Sequence, residues 1–120
     1  MPRLSVSAAA ISLALVSTSA FAHAELEKSS PAANAALQGA PSEVAIDFSE
    51  EVEPKFSTIE VRDSKGTRVD KGDAHTAPDN AKHLAVRLRP LQPGTYKVIW
   101  RILSTDTHKT NGSYEFKVAQ

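Results

Sequence analysis

The sequence of 120 residues contains no cysteine, and its only methionine is Met1. Without cysteine the chain forms no disulfide, no thiolate metal site and no cysteine nucleophile. Without an internal methionine it also lacks the thioether sulfur that favours copper(I). Any metal site in this chain must therefore be built from nitrogen and oxygen ligands.

The sequence also lacks an excess of charge of either sign. It has 14 lysine and arginine residues against 14 aspartate and glutamate residues, and neither sign forms a long run. Proteins that bind nucleic acid need clusters of basic residues to meet the phosphates. We therefore expect no nucleic-acid partner.

Long apolar runs are scarce, and the one at the N-terminus is too short and too rich in serine to span a membrane as a helix. Arg3 precedes this largely small and apolar stretch, which runs from Ser5 to Val16. Ala20-Phe21-Ala22 then fits the A-x-A pattern of a signal-peptide cleavage site. We predict that residues 1–22 are a cleaved signal peptide and that the mature protein is exported to the periplasm.

Cleavage after Ala22 makes His23 the first residue of the mature domain, residues 23–120. An N-terminal histidine presents a free α-amine and an imidazole, and the two nitrogens can close one chelate ring on a metal ion. The triplet Ala22-His23-Ala24 also fits the A-x-A pattern, and a cut after Ala24 would remove this histidine. The position of the cut thus decides whether the chelate exists.

Short segments with alternating apolar and polar residues dominate the rest of the sequence. They are Val44 to Phe48, Ile59 to Arg62, Leu84 to Arg89, Tyr96 to Ile102 and Tyr114 to Val118. Turn residues separate them, and Ala32 to Leu37 has room for one helical turn at most. Many short strands in about a hundred residues indicate an antiparallel sandwich or small barrel. We predict an all-β, single-domain, immunoglobulin-like Greek-key β-sandwich.

The most polar stretch runs from Lys65 to Lys82, and we predict that it is a long connection with no more than a marginal strand inside it. His75 and His83 lie in or beside this stretch, and we interpret both as solvated loop residues. Two aromatic residues of the longest predicted strand, Tyr96 and Trp100, are expected to pack in the core.

Asp106-Thr107-His108 offers a second pair of metal ligands. In an extended segment, side chains two residues apart lie on the same face, so Asp106 and His108 can converge on one ion. Together with the amine and imidazole of His23 they supply three nitrogens and one oxygen, a set that suits tetragonal copper(II). Zinc would accept similar ligands less tightly. A D-x-H triplet is common by chance, and the combination with His23 is what predicts a copper site.

The order of these features resembles the CopC family of periplasmic copper-resistance and copper-homeostasis proteins. The resemblance is carried by His23, Ser30-Pro31-Ala32, Phe48-Ser49-Glu50, the block from Pro93 to Arg101 and the block from Ser104 to Phe116. It implies a sandwich that binds one Cu(II) per chain, with His23, Asp106 and His108 at the ligand positions. Glu50 matches an acidic residue near the copper, as a weak axial ligand or as a partner of the ligands.

The resemblance also implies a role. The chain lacks the methionine-rich loop of two-site members, so it resembles the type that binds only Cu(II). Such a protein captures, buffers or delivers Cu(II) in the periplasm and is not an enzyme. The resemblance implies an inner-membrane copper protein of the CopD type and a periplasmic multicopper oxidase as partners, and we expect a monomer.

Two other functions remain open at this stage. An N-terminal histidine with a second histidine on a β-sandwich also resembles the copper centre of lytic polysaccharide monooxygenases. Few aromatic residues are available for a flat glycan-binding face, however, and Asp106 would occupy the position that oxygen needs. The other possibility is a structural sandwich whose histidines bind no metal, because a fold alone does not determine function.

Overall fold

The structure is a computed structural model, and it describes residues 24–120. The predicted signal peptide and His23 lie outside the described residues. Residues 24–120 form eight strands: β1 (Leu26–Ser30), β2 (Ala36–Leu37), β3 (Glu43–Phe48), β4 (Thr58–Arg62), β5 (His75–Ala77), β6 (Asn80–Arg87), β7 (Gly94–Leu103) and β8 (Lys109–Val118). A short 3-10 helix, Pro54–Phe56, lies between β3 and β4.

The strands form two sheets of four, in the orders β1-β3-β6-β5 and β2-β8-β7-β4. All named strand pairs are antiparallel except the short pairing of β2 with β8. The chain crosses from one sheet to the other several times, which confirms the predicted Greek-key β-sandwich. Within residues 24–120, no helix is long and apolar enough to cross a membrane.

The core lies between the sheets and consists of the apolar residues that alternate along each strand. Val44, Ile46 and Phe48 of β3 are at most 1% exposed, and Val98 and Phe116 from the opposite sheet are fully buried. Because side chains point alternately to the two faces of a strand, these residues share one face. The predicted inward positions of β3, β4, β6 and β8 are confirmed, and so are those of β7 except Trp100, which is only partly buried against the core.

The sequence does not predict β1 or β2, and it allows β5 only as a marginal strand; all three lie at sheet edges. β1 has only one large apolar residue, Leu26, and β2 is two residues long. No helical turn forms between Ala32 and Leu37, and part of that segment pairs with β8 instead. Edge strands cover less of the core and therefore carry a weaker alternating pattern.

The interpretation of His75 and His83 as loop residues is wrong. His75 begins β5, and His83 lies within β6 opposite Asp47 of β3, with its Nδ1 2.5 Å from the Asp47 Oδ1. β5 and β6 are joined by a tight turn at Pro78 and Asp79. The outward-facing side chains of this segment are polar, and only a few of its side chains face inward. The alternation of apolar and polar residues that indicates a strand is therefore hard to recognise in the sequence.

Tyr96 forms a tyrosine corner, the feature in which a tyrosine hydroxyl bonds to the backbone a few residues upstream. Its hydroxyl donates to the carbonyl of Gln92, and its ring stacks on Phe116 at a centroid distance of 5.5 Å. Burial raises the pKa of Tyr96 above its ordinary value. The interaction fixes the chain where it enters β7, the strand that leads to the predicted ligands.

Trp100 of β7 lies directly over Gly112 of β8 and contacts Phe48 and Tyr114. A Cβ at Gly112 would lie 2.1 Å from the Cζ2 of Trp100. We therefore expect Gly112→Ala to displace the ring and to lower the free energy of unfolding by about 1–3 kcal/mol, as overpacking does. Urea unfolding measures this loss. Gly39→Ala is the control, since nothing lies within 4 Å of a Cβ there; equal losses in both variants would contradict the steric explanation.

Candidate metal centre

The loop that joins β7 to β8 carries Asp106 and His108. The ten residues of each strand pair continuously, and the last pair is Leu103 with Lys109. Beyond that pair, the Ser104 N–H donates to the His108 carbonyl at 2.9 Å and the Thr107 N–H donates to the Ser104 carbonyl at 2.9 Å. Thr107 has a φ of 75°, in the left-handed region. This is the three-residue hairpin loop in which a turn is followed by a left-handed residue.

The loop brings the side chains of Asp106 and His108 together. The Nδ1 of His108 lies 3.2 Å from the Oδ2 of Asp106, and both side chains are about two-fifths exposed, at 41% and 44%. Two ligands about 2.0–2.2 Å from one ion and at right angles to each other are roughly 3 Å apart. The pair therefore has a separation that one metal ion can bridge, and the convergence predicted from the D-x-H spacing is present.

Ser104 supports this pair, and the sequence reading did not identify its role. Its side chain is buried, its hydroxyl donates to the Oδ1 of Asp106, and its oxygen accepts the His108 N–H at 3.2 Å. The Ser104 hydroxyl holds the pKa of Asp106 below its ordinary value, and contacts with His108 act in the same direction. Asp106 is thus an oriented carboxylate. A serine two residues before an aspartate in a predicted turn is the signal that could have indicated this contact.

Glu50 lies on a segment that runs beside the same loop. The backbone carbonyl of the next residue, Glu51, accepts the Thr105 N–H at 3.0 Å, and Val52 forms a backbone bridge with Ser104. Glu50 itself is partly buried. Among residues 24–120, no three histidine, aspartate or glutamate side chains form a group that could hold a metal ion. The described chain thus brings together Asp106 and His108 and places the segment of Glu50 next to them.

The start of the described chain lies at this end of the sandwich as well. Ala24 is 1% exposed, and its carbonyl accepts a hydrogen bond of 2.8 Å from the hydroxyl of Thr110, two residues beyond His108. The Glu25 N–H donates to the hydroxyl oxygen of Ser49 at 2.9 Å. His23 is outside the described residues, but Ala24, to which it is joined, is fixed close to the loop.

Fold and candidate site together define a class: a small two-sheet β-sandwich with an aspartate–histidine pair at one end, in a sequence with no cysteine and no methionine after Met1. The description of the matching family model is "CopC domain", and it covers residues 26–119. The chain belongs to the CopC family, as its sequence features predict.

Curated relatives match over most of their length. The chain is 40% identical over 111 residues to Protein YobA of Escherichia coli strain K12, covering 92% of this chain and 90% of that protein. It is 36% identical over 114 residues to Copper resistance protein C of Xanthomonas campestris pv. juglandis, covering 90% and 89%.

Solved structures agree in fold. CopC from Methylosinus trichosporium OB3b has a TM-score of 0.77 at 35% identity, over 81% of this chain and 94% of that one. PcoC, a methionine-rich copper resistance protein from Escherichia coli, has a TM-score of 0.67 at 38% identity, over 81% and 99%. Unlike a methionine-rich protein, this chain has Met1 as its only methionine.

Proposed function

We propose that this protein is a periplasmic copper carrier that binds one Cu(II) ion per chain through His23, Asp106 and His108. The observation that carries the proposal is the 3.2 Å contact between His108 and Asp106 at one end of a CopC-family sandwich. Relatives that are named as copper resistance and copper transport proteins support copper as the cargo.

The chemistry of the available ligands supports the divalent ion. The sequence after Met1 contains no sulfur, whereas copper(I) favours sulfur and copper(II) favours imidazole and amine nitrogen with oxygen. Asp106 has two possible roles here. It either binds the ion beside His108 or accepts the Nδ1–H of His108 and orients the ring, as the carboxylate partners of metal-bound histidines do.

His23 completes the proposed ligand set. Consecutive Cα atoms are about 3.8 Å apart, so covalent geometry alone keeps the Cα of His23 about this far from the Cα of the buried Ala24. Ala24 is hydrogen-bonded to Thr110 on the strand that follows the loop. This placement supports delivery of the amine and imidazole of His23 to the pair. Glu50 is proposed as an axial ligand or as a partner of the ligands.

The proposed setting is the periplasm. Removal of residues 1–22 as a signal peptide would release the mature domain, residues 23–120, with His23 at its start. We propose capture, buffering or delivery of Cu(II) by a monomer, with a CopD-type membrane protein and a multicopper oxidase as partners. A carrier is preferred over an oxidase because Asp106, bound to the ion, would occupy a position that an oxygen-activating copper needs to keep open.

Native mass spectrometry of the exported protein, with and without one equivalent of Cu(II), tests the proposal. We expect a chain that begins at His23 and retains one copper ion after removal of excess metal. A chain that begins at Glu25, or a chain that begins at His23 and retains no copper, would contradict the proposed site. The same spectra show whether the species is monomeric.

A further inference from the structure

The N-terminal segment is held by three hydrogen bonds from two other parts of the chain. Thr110 donates its hydroxyl to the Ala24 carbonyl at 2.8 Å. Ser49 accepts the Glu25 N–H on its hydroxyl oxygen at 2.9 Å and donates its own N–H to the Glu25 carbonyl at 2.8 Å. We call these three bonds the N-terminal clamp. They hold Ala24 and Glu25, the last two residues before β1, to Thr110 of β8 and to Ser49, which follows β3.

The two residues that form the clamp stand beside predicted ligands. Thr110 follows His108 by two positions, and Ser49 immediately precedes Glu50. After the clamp, the pairing of β1 with β3 shifts register between Leu26 and Lys28. The clamp therefore ties the chain entering β1 to the same two segments that carry His108 and Glu50.

We propose that Thr110 and Ser49 are positioning residues that hold Ala24 and Glu25 beside the segments of His108 and Glu50, so that less of the N-terminal chain has to be ordered when copper binds. This inference rests on the proposed copper function and assigns the residues that preorganise it. A ligand on a free terminus must be ordered when the metal binds, and that ordering reduces affinity. A terminus that is already held close to the other ligands avoids most of this loss. Neither residue touches the metal in this proposal.

Thr110→Val isolates the role of one hydroxyl. Valine keeps the branched shape beside Trp100 and Ala24, which line the same groove of about 450 Å³. It removes the donor to the buried Ala24 carbonyl, and an unsatisfied buried carbonyl is costly. We therefore expect residues 24 and 25 to detach from the rest of the domain more often in this variant. Thr110→Ser keeps the hydroxyl and should restore the clamp.

Aminopeptidase digestion of the copper-free protein measures this opening directly. Because a protease cuts the open form, we expect Thr110→Val to lose its first residues about 5- to 10-fold faster than the wild type, the effect of one lost hydrogen bond. Thr58→Val, at an exposed position of β4, is the matched control and should be trimmed at the wild-type rate. Equal trimming of Thr110→Val and wild type would overturn the clamp.

Competition with a Cu(II) chelator then tests the link to the metal. We expect Thr110→Val to bind one Cu(II) about 5- to 10-fold more weakly, with Thr110→Ser and Thr58→Val close to wild type. Ser49→Ala is the second variant and should show a loss in the same direction. Faster trimming with unchanged copper affinity would overturn the positioning role. If the wild type binds no copper, the proposed function fails with this inference, while the digestion still reports whether the clamp exists.

Discussion

Replacing His108 with alanine is expected to weaken Cu(II) binding by more than about 100-fold. Loss of a residue that only supports a metal ligand typically costs 10- to 100-fold in metal affinity, and loss of a ligand should exceed this. His108 is the one imidazole of residues 24–120 that lies against Asp106 in the β7–β8 loop. Without it, His23 and Asp106 would hold the ion with two nitrogens and one carboxylate.

The affinity is best measured by competition with a Cu(II) chelator, and electron paramagnetic resonance counts the nitrogens bound to the copper. The matched control is His75→Ala. That imidazole is exposed on β5, and its Nδ1 contacts the Asp73 carbonyl. We expect the control to bind copper like the wild type. If both variants lost copper equally, or if His108→Ala kept the wild-type affinity and spectrum, the assignment of His108 would be wrong.

The parts of the fold that the sequence predicts are the ones whose side chains separate cleanly into two faces. Phe116 is fully buried and lies between the exposed residues Glu115 and Lys117 in a ten-residue strand, so the inward face of β8 is easy to recognise. His83 shows where this separation into two faces fails. His83 of β6 pairs with Asp47 of the neighbouring strand β3. Polar outward-facing residues of this kind resemble a loop when they are read along the chain.

The candidate site contains contacts between residues that are close in the sequence and contacts between residues that are far apart in it, and only the first kind can be predicted. Asp106 and His108 are two residues apart, so their spacing alone predicts that they meet. The bond from Thr110 to Ala24 joins residues 86 positions apart, and the bond from Glu25 to Ser49 joins residues 24 positions apart. The first contact depends on how the two sheets pack, and the second extends the pairing of β1 with β3. No local pattern in the sequence encodes either of them.

Asp70 is the clearest case of a residue whose role only the fold reveals. It lies in the polar stretch after β4, yet its side chain is fully buried. It accepts hydrogen bonds from the N–H groups of Val61 at 2.9 Å and Gly72 at 3.0 Å. The guanidinium of Arg68 also donates to both of its oxygens. One carboxylate thus holds the end of β4 and the following loop together.

Replacing Asp70 with asparagine is expected to lower the free energy of unfolding by about 2–3 kcal/mol near neutral pH. The amide has the shape of the carboxylate, but it has no charge and must point an N–H₂ group at backbone or guanidinium donors. Hydrogen bonds to a charged group contribute about 1.5–3 kcal/mol, and a buried donor that loses its partner adds to the cost. For a domain of this size the melting temperature should fall by roughly 10–20 °C.

The pH dependence of this loss provides a second, independent signature. Burial by itself would raise the pKa of Asp70, but the hydrogen bonds from Arg68, Val61 and Gly72 outweigh it, and the pKa lies below its ordinary value. The unfolded chain therefore binds the proton first, and Asp70 contributes its full stability above the unfolded value of about 3.9. That contribution is lost as the pH falls through the folded-state pKa, so the gap between wild type and variant should narrow in acid.

Urea unfolding of both proteins, near neutral pH and again below about pH 3, measures the gap and its pH dependence. Asp79→Asn is the matched control, because Asp79 is exposed in the turn between β5 and β6, and its replacement should change stability by less than about 0.5 kcal/mol. A gap between wild type and Asp70→Asn that stays constant down to the lowest pH would show that the loss comes from altered packing and not from the charged hydrogen bonds of Asp70. A gap that closes in acid would assign the stability to the ionised carboxylate.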